Sequence, residues 1–321
     1  MAQKTFVSEL KEGQLVDSAF SVKYKRGVAE YGNGKGWYFS IGASDKTGEI
    51  EVTYWGGASR EAVQKVHDSV KEGGVARVQG IVGNWKDRKK IDINEGKGTI
   101  SQAAFFNPED FLPRGEKDVE EMYAKLLQLV DGIKDNGTRK LLNAFFRDEE
   151  FAETFKRAPA AMQLHHAWLG GLLEHSLNVA TTCKTVAGNY DGINEDLLVA
   201  GALLHDVGKL HEYEVTTSIK VSEAGMLRGH VVMGEEMVRA KAGNLPELGE
   251  TTLLKLSHIL LSHHGEGDKG APKKPMIVEA ALVHYADEMD AKASQFARIR
   301  KETTSEDFRV YDKHWGEVYL K

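Results

Sequence analysis

Seven side chains in the second half of this sequence are of types that bind divalent metals, and they recur in a fixed order. His175 is followed by the pair His205-Asp206, then His230, then the pair His263-His264, then Asp287. The groups stand 30, 24, 33 and 23 residues apart, from the last residue of one to the first of the next. Imidazole and carboxylate suit manganese foremost, and also iron, cobalt, nickel or zinc. The only cysteine, Cys183, leaves neither a thiolate-rich zinc site nor a disulfide framework. Asp206 closes an apolar run, Leu197–Leu204 (LLVAGALL), and Asp287 lies within Ala280–Met289 (AALVHYADEM). A charge at such a place is costly to bury unless it is paired, and a metal is the strongest partner. One ion would take His175, His205, Asp206 and Asp287. A second would share Asp206 as a bridging carboxylate and add His230 and His263, with His264 as a further ligand or a substrate contact. Two cations about 3.5–4 Å apart neutralise both the attacking and the leaving oxygens of a phosphoryl displacement.

Other residues stand close to this series. Lys209, one turn after Asp206, would reach a phosphate oxygen as a point cation, or else end its helix in solvent. Glu174 adjoins His175 and either orients it from behind or faces water. Asp290, one turn after Asp287, is a candidate supporting carboxylate, and His284, one turn before it, is read as packing. His211, His258 and His314 have no partner logic, and Cys183 reads as core. The basic stretch Lys269–Pro275 (KGAPKKP) reads as a solvated loop or as a guide for a phosphate backbone.

The elements that must position these groups divide the chain in two. At 321 residues, 41% hydrophobic and 28% charged, it has the composition of a globular protein of about two domains. Residues 1–105 hold 16 Lys+Arg against 13 Asp+Glu and carry +3; the rest carries −9. Of the 12 histidines only His67 precedes residue 150. No run of about 18 apolar residues and no apolar leader core is present, so the expected compartment is the cytoplasm, with no membrane partner. In the front part Gln14–Lys25, Gly36–Ser44, Glu49–Trp55, Val75–Val82 and Lys89–Ile93 read as strands, with a helix over Ala58–Val70. Three strands, a helix and a hairpin are the element order of the OB-fold, a small Greek-key barrel. Residues 106–117, with Pro108 and Pro113, read as a linker. From 118 to 321 the apolar spacing is helical: Asp118–Ile133, Arg139–Phe146, Glu174–Val186, Leu197–Leu210, Gly229–Ala242, Leu253–Ser262 and Val278–Ala297, with a hairpin around Glu214–Leu227. The fold class is a β-barrel domain followed by an all-α domain.

The ordered series resembles the HD-domain phosphohydrolase superfamily, whose His-Asp dyad binds metal, and LLHDVGKL matches its usual form. More narrowly, HHAWLGGLLEHSLNVA, GALLHDVGKLHEY, GHVVMGEEMV, LSHHGEG and EAALVHYADEMDAK resemble the YhaM-type 3'-5' exoribonucleases, which join an OB-fold to an HD domain. The match spans roughly residues 15–300. It implies a metal-dependent exonuclease that shortens single-stranded RNA, or DNA, from the 3' end and releases nucleoside 5'-monophosphates. His165 and His166 match the paired histidines of the family segment, so His166 is a candidate substrate contact. An OB barrel stacks bases on aromatics and tracks phosphates with cations. Trp85 with Lys86, Arg88, Lys89 and Lys90 is the best such patch, and Trp37, Phe39 and Trp55 are further aromatic candidates. A cyclic-dinucleotide phosphodiesterase would carry Gly-Tyr-Pro soon after the paired histidines, where this chain has HHGEGDKGAPKKP. A nucleotidase, or a single-strand-binding protein without activity, is the remaining alternative. Nothing in the sequence fixes the oligomeric state.

Overall fold

Alternation of apolar and polar residues builds the first unit. The structure, a computed structural model, describes residues 4–32, 34–86, 88–162, 166–303 and 307–320. Its strands are β1 (Leu15–Lys25), β2 (Ala29–Tyr31), β3 (Gly36–Asp45), β4 (Gly48–Trp55), β5 (Val75–Trp85), β6 (Arg88–Asn94) and β7 (Thr99–Gln102), with helix α1 (Arg60–Ser69) between β4 and β5. β1 pairs with β3, β3 with β4, β4 in parallel with β6, β6 with β5, and β5 returns to β1. That closed order, with the helix before the fourth barrel strand, is an OB-fold. β2 extends the sheet at β3 and β7 extends it at β5. The register sets Phe39 opposite Tyr54, Ile41 opposite Val52 and Val52 opposite Ile91, all buried inside. Ser59 caps α1 by accepting from the Ala62 amide, and Val63 turns inward. The β5–β6 hairpin is longer than its apolar spacing predicts, for β5 runs on to Trp85 and β6 begins at Arg88.

The chain divides between Pro113 and Arg114, with Val215–Ser218 grouped with the first unit. The break falls inside the segment 106–117. That segment is locally ordered: Asn107 caps a short turn at Pro108–Asp110, and Phe111 and Leu112 are buried.

The second unit is helical: α2 (Val119–Asp131), α3 (Asn136–Phe146), α4 (Glu149–Arg157), α5 (Gly171–Ala187), α6 (Glu195–Leu204), α7 (Lys209–Glu212), α8 (Glu223–Ala242), α9 (Glu250–Ser262) and α10 (Val278–Glu302). Two small hairpins follow α7 and α10 in the chain, β8 (Tyr213–Val215) with β9 (Ile219–Val221), and β10 (Arg309–Asp312) with β11 (Gly316–Tyr319). Asp118, Asp135, Asp148, Asn194 and Ser222 each cap a helix by accepting a main-chain N–H of its first turn. α6 is apolar all round, as a central helix must be, and Leu197–Leu204 are buried among α5, α9 and α10. The periodicity predicts one helix from Leu197 to Leu210. The structure instead ends α6 at Leu204 and restarts at Lys209, which sets His205 and Asp206 at an irregular corner.

Gly208 permits a close approach at that corner. Its dihedral angles (φ −62°, ψ −19°) suit any residue. A Cβ there would nevertheless lie 2.6 Å from the Gly234 amide nitrogen and nearer still to the His230 carbonyl oxygen. The glycine lets α8 press against the dyad's loop, and α8 carries His230. No helix among the described residues is long and apolar enough to cross a membrane.

Candidate metal centre

The seven members of the series lie on five helices, α5, α6, α8, α9 and α10, or on the corners that follow them, and gather around Asp206. His175 sits in the first turns of α5, His205 and Asp206 follow α6, His263 and His264 follow α9, and Asp287 is in α10. Asp206 is 1% exposed, and its two oxygens face two sets of ligand atoms. Oδ2 lies 3.4 Å from His175 Nε2 and 3.3 Å from His205 Nε2, and Asp287 Oδ1 lies 3.2 Å from His175 Nε2. Oδ1 lies 3.4 Å from His230 Nε2 and 3.7 Å from His263 Nε2. His264 joins the second set, its Nε2 3.2 Å from that of His230. The donor atoms of His175, His205 and Asp287 fall within 4.8 Å of one another, as do those of His230, His263 and His264.

The five rings are turned the same way. Nδ1 of His205, His263 and His264 donates to the carbonyls of Ala202, Leu260 and Lys269, and Nδ1 of His175 and His230 donates to Asp290 and Glu212. Every Nε2 is thereby aimed at the centre. Imidazole nitrogens 3.2 Å apart and facing carboxylate oxygens hold together only around a cation, a proton or a metal. Asp206 Oδ1 and His263 Nε2 are buried and make no hydrogen bond among the described residues. Such orphaned acceptors fit a bound metal.

The electrostatics agree. Burial alone would raise the Asp206 carboxyl, but Lys209, His205 and His175 hold it well below the usual carboxylate range. Burial would lower His175, yet Asp206, Asp287 and Asp290 lift it well above its ordinary value, so the pocket favours positive charge at that ring. Burial, with His205 and His264 nearby, pushes His263 well below its ordinary value and leaves it a neutral ligand.

The HD domain family matches residues 172–292, from the first turn of α5 into α10. A curated relative, the 3'-5' exoribonuclease YhaM of Listeria monocytogenes serotype 4b (strain CLIP80459), is 31% identical over 304 residues, 94% of this chain and 92% of its own length. The chain belongs to the YhaM family. The relative of the same name from Bacillus subtilis (strain 168) is 30% identical over 288 residues, 89% of this chain and 88% of its own. Among solved structures, the replication factor A related protein of Methanobacterium thermoautotrophicum aligns with 32% of this chain and 93% of its own, at 19% identity and a TM-score of 0.27.

Several residues of this YhaM-family chain stand elsewhere than their spacing suggests. Lys209 does not reach outward: it is buried and its ammonium donates to Asp206 Oδ2 at 2.6 Å. His166 is not an open substrate contact. Its ring is buried and its Nε2 donates to Asp290 at 2.9 Å. His165 lies outside the described residues. Glu174 bonds Lys117 and Trp168 rather than the His175 ring, and the carboxylate behind that ring is Asp290. Glu212, which sequence reasoning missed, does the same for His230. Its signal was faint, a glutamate seven residues after the dyad histidine. His284 donates to the His263 carbonyl and steadies that corner. In the basic loop, Lys269 pairs with Glu288.

On the barrel, Trp85 is 64% exposed at the end of β5, with Lys86 and Lys90 each 5.9 Å from its ring. Arg88 is exposed opposite it. Lys89 instead turns back to donate to the Leu10 carbonyl, while Lys90 also lies over Trp55. Phe39 is 1% exposed and stacks on Tyr54 in the core, so it offers no face to a base. Tyr38, half-buried and stacked on Trp55 at 5.1 Å, is the aromatic on the other side of that strand. Trp37 is half-buried with Arg60 over its ring.

Proposed function

We propose that this chain is a metal-dependent 3'-5' exoribonuclease that holds two divalent ions, manganese foremost, one on each side of Asp206. The observation that carries the reading is the division of ligand atoms between the two Asp206 oxygens. His175, His205 and Asp287 stand with Oδ2, and His230, His263 and His264 stand with Oδ1. The relatives' name supplies substrate class and direction. Ions bound there would supply Lewis-acid stabilisation of the charge that develops on the phosphodiester oxygens.

The chain's own residues do the remaining work. Asp206 would be shared by both ions, and its negative charge is kept by Lys209, whose ammonium donates to Oδ2. The buried histidines and the helix ends they sit on hold the donor atoms before substrate arrives, which lowers the reorganisation cost of catalysis. The barrel serves as the holding module. Trp85, Tyr38 and Trp55 offer ring faces to unpaired bases, and Lys86, Arg88 and Lys90 offer charge to phosphates. The +3 charge of that half implies modest, salt-dependent affinity. The products are nucleoside 5'-monophosphates, and the compartment is the cytoplasm.

The test is a time course with 5'-labelled single-stranded RNA and manganese, beside 3'-labelled RNA and DNA of the same sequence. A ladder shortening from the 3' end, with early release of the 3' label as mononucleotide, supports the reading. Cuts that begin internally, loss of the 5' label first, or no cleavage with any divalent metal would overturn it.

A further inference from the structure

A ligand histidine must show one nitrogen to its metal and give the other to an acceptor. In three of the five rings that acceptor is a main-chain carbonyl. In the other two, one in each set, it is a carboxylate. Asp290 Oδ2 accepts from His175 Nδ1 at 2.7 Å and from His166 Nε2 at 2.9 Å, while Oδ1 accepts from Asn178 at 2.9 Å. Glu212 Oε2 accepts from His230 Nδ1 at 2.8 Å, and Oε1 accepts the main-chain N–H of His230 at 3.1 Å.

We propose that Asp290 and Glu212 are a matched pair of positioning carboxylates, one behind each ion, which fix the ring orientation and proton placement of His175 and His230. The proposal rests on the two-ion reading above. Neither residue resembles a surface ion pair: their side chains are 13% and 12% exposed, and each accepts from more than one donor. His166 is held at φ +48° on a loop that delivers its ring to Asp290. A residue other than glycine in that conformation is kept only where its surroundings require it.

On the other side, Gly229 (φ 70°, ψ 154°) interrupts α8 immediately before His230. The kink releases the His230 N–H from the helix ladder, and Glu212 takes both that N–H and the ring. The ligand is thus fixed relative to its own backbone. Carboxylate backing also makes the imidazole a stronger donor, and loss of such support costs about 10–100-fold in metal affinity or activity.

The variants follow from acceptor chemistry. An amide has one acceptor oxygen, so in Asp290→Asn it cannot serve His175, His166 and Asn178 together. In Glu212→Gln it cannot serve both the His230 N–H and Nδ1. The measurement is manganese binding by calorimetry on the full chain, with the melting temperature of the metal-free protein alongside. Wild type should bind two ions. Each single variant should weaken one of the two by about 10–100-fold, the double variant should weaken both, and excess manganese should restore turnover. Asn178→Ala, a milder change that removes only the brace on Asp290, should weaken the same ion as Asp290→Asn by a smaller factor. Two ions at wild-type affinity in every variant would overturn the proposal, as would a fall in metal-free melting temperature without a change in affinity. Fewer than two ions in the wild type would overturn the two-ion reading itself, and this pairing with it.

Discussion

Replacing Gly208 by alanine tests how the fold builds the second half of the centre. The added methyl group would stand 2.6 Å from the Gly234 nitrogen and closer to the His230 carbonyl, where real Cβ contacts stop at 3.0 Å. Both obstacles are backbone atoms of α8, so no side chain can swing aside, and α8 must retreat by about 0.5–1 Å. His230 rides on that segment. Its Nε2 stands 3.4 Å from Asp206 Oδ1, and a shift of this size separates His230 from that carboxylate while leaving His175, His205 and Asp287 in place. Overpacking of this kind costs about 1–3 kcal/mol, and misplacement by about 1 Å lowers turnover by up to about 10²-fold. The assay pairs thermal melting with turnover on labelled RNA across a manganese titration. The expected outcome is a lower melting temperature, loss of one tightly bound ion and a large fall in turnover at saturating RNA. Gly188→Ala, where the nearest obstacle is 3.7 Å away and φ is −66°, should leave both unchanged. Wild-type turnover and two ions in Gly208→Ala would refute the claim that contact between this glycine and α8 sets His230.

Three further outcomes follow. Asp206→Asn should lower hydrolysis by at least about 10²-fold, because both ligand sets lose their shared charge, while filter binding of single-stranded RNA stays within a few-fold of wild type. Trp85→Ala should weaken that binding by about 1–3 kcal/mol, one base stack, with cleavage of a small phosphodiester unchanged; equal loss on both substrates would make the tryptophan structural. Burial pushes the Cys183 thiol up to about 12, so at pH 8 it is protonated in the folded chain and should react with a thiol reagent only on unfolding, at a rate that tracks denaturant.

Much of the candidate metal centre was legible because its chemistry is carried by residue type. Seven imidazole and carboxylate groups in a fixed order need no knowledge of helix ends to suggest a divalent site, and the apolar run before His205 marked a buried helix. The barrel was legible for a similar reason, since alternation over Glu49–Trp55 sets Ile50, Val52 and Tyr54 on one face, and all three are buried. Phe39 shows the limit: alternation makes it either core or surface, and only the register opposite Tyr54 decides for core. Helix α4 went unread because its nine residues are mostly charged, with Phe155 alone fully buried. Lys209 was misplaced because its partner, the Asp206 carboxylate, lies inward at a corner that interrupts the predicted helix, and apolar spacing does not mark that corner. Glu212 was missed because its partner His230 is 18 residues away across a hairpin.

The most direct test is the anomalous diffraction of a crystal grown with manganese. Two peaks should flank Asp206, one among His175, His205 and Asp287 beside Oδ2, the other among His230, His263 and His264 beside Oδ1. A single peak, or peaks that do not share Asp206, would contradict the account.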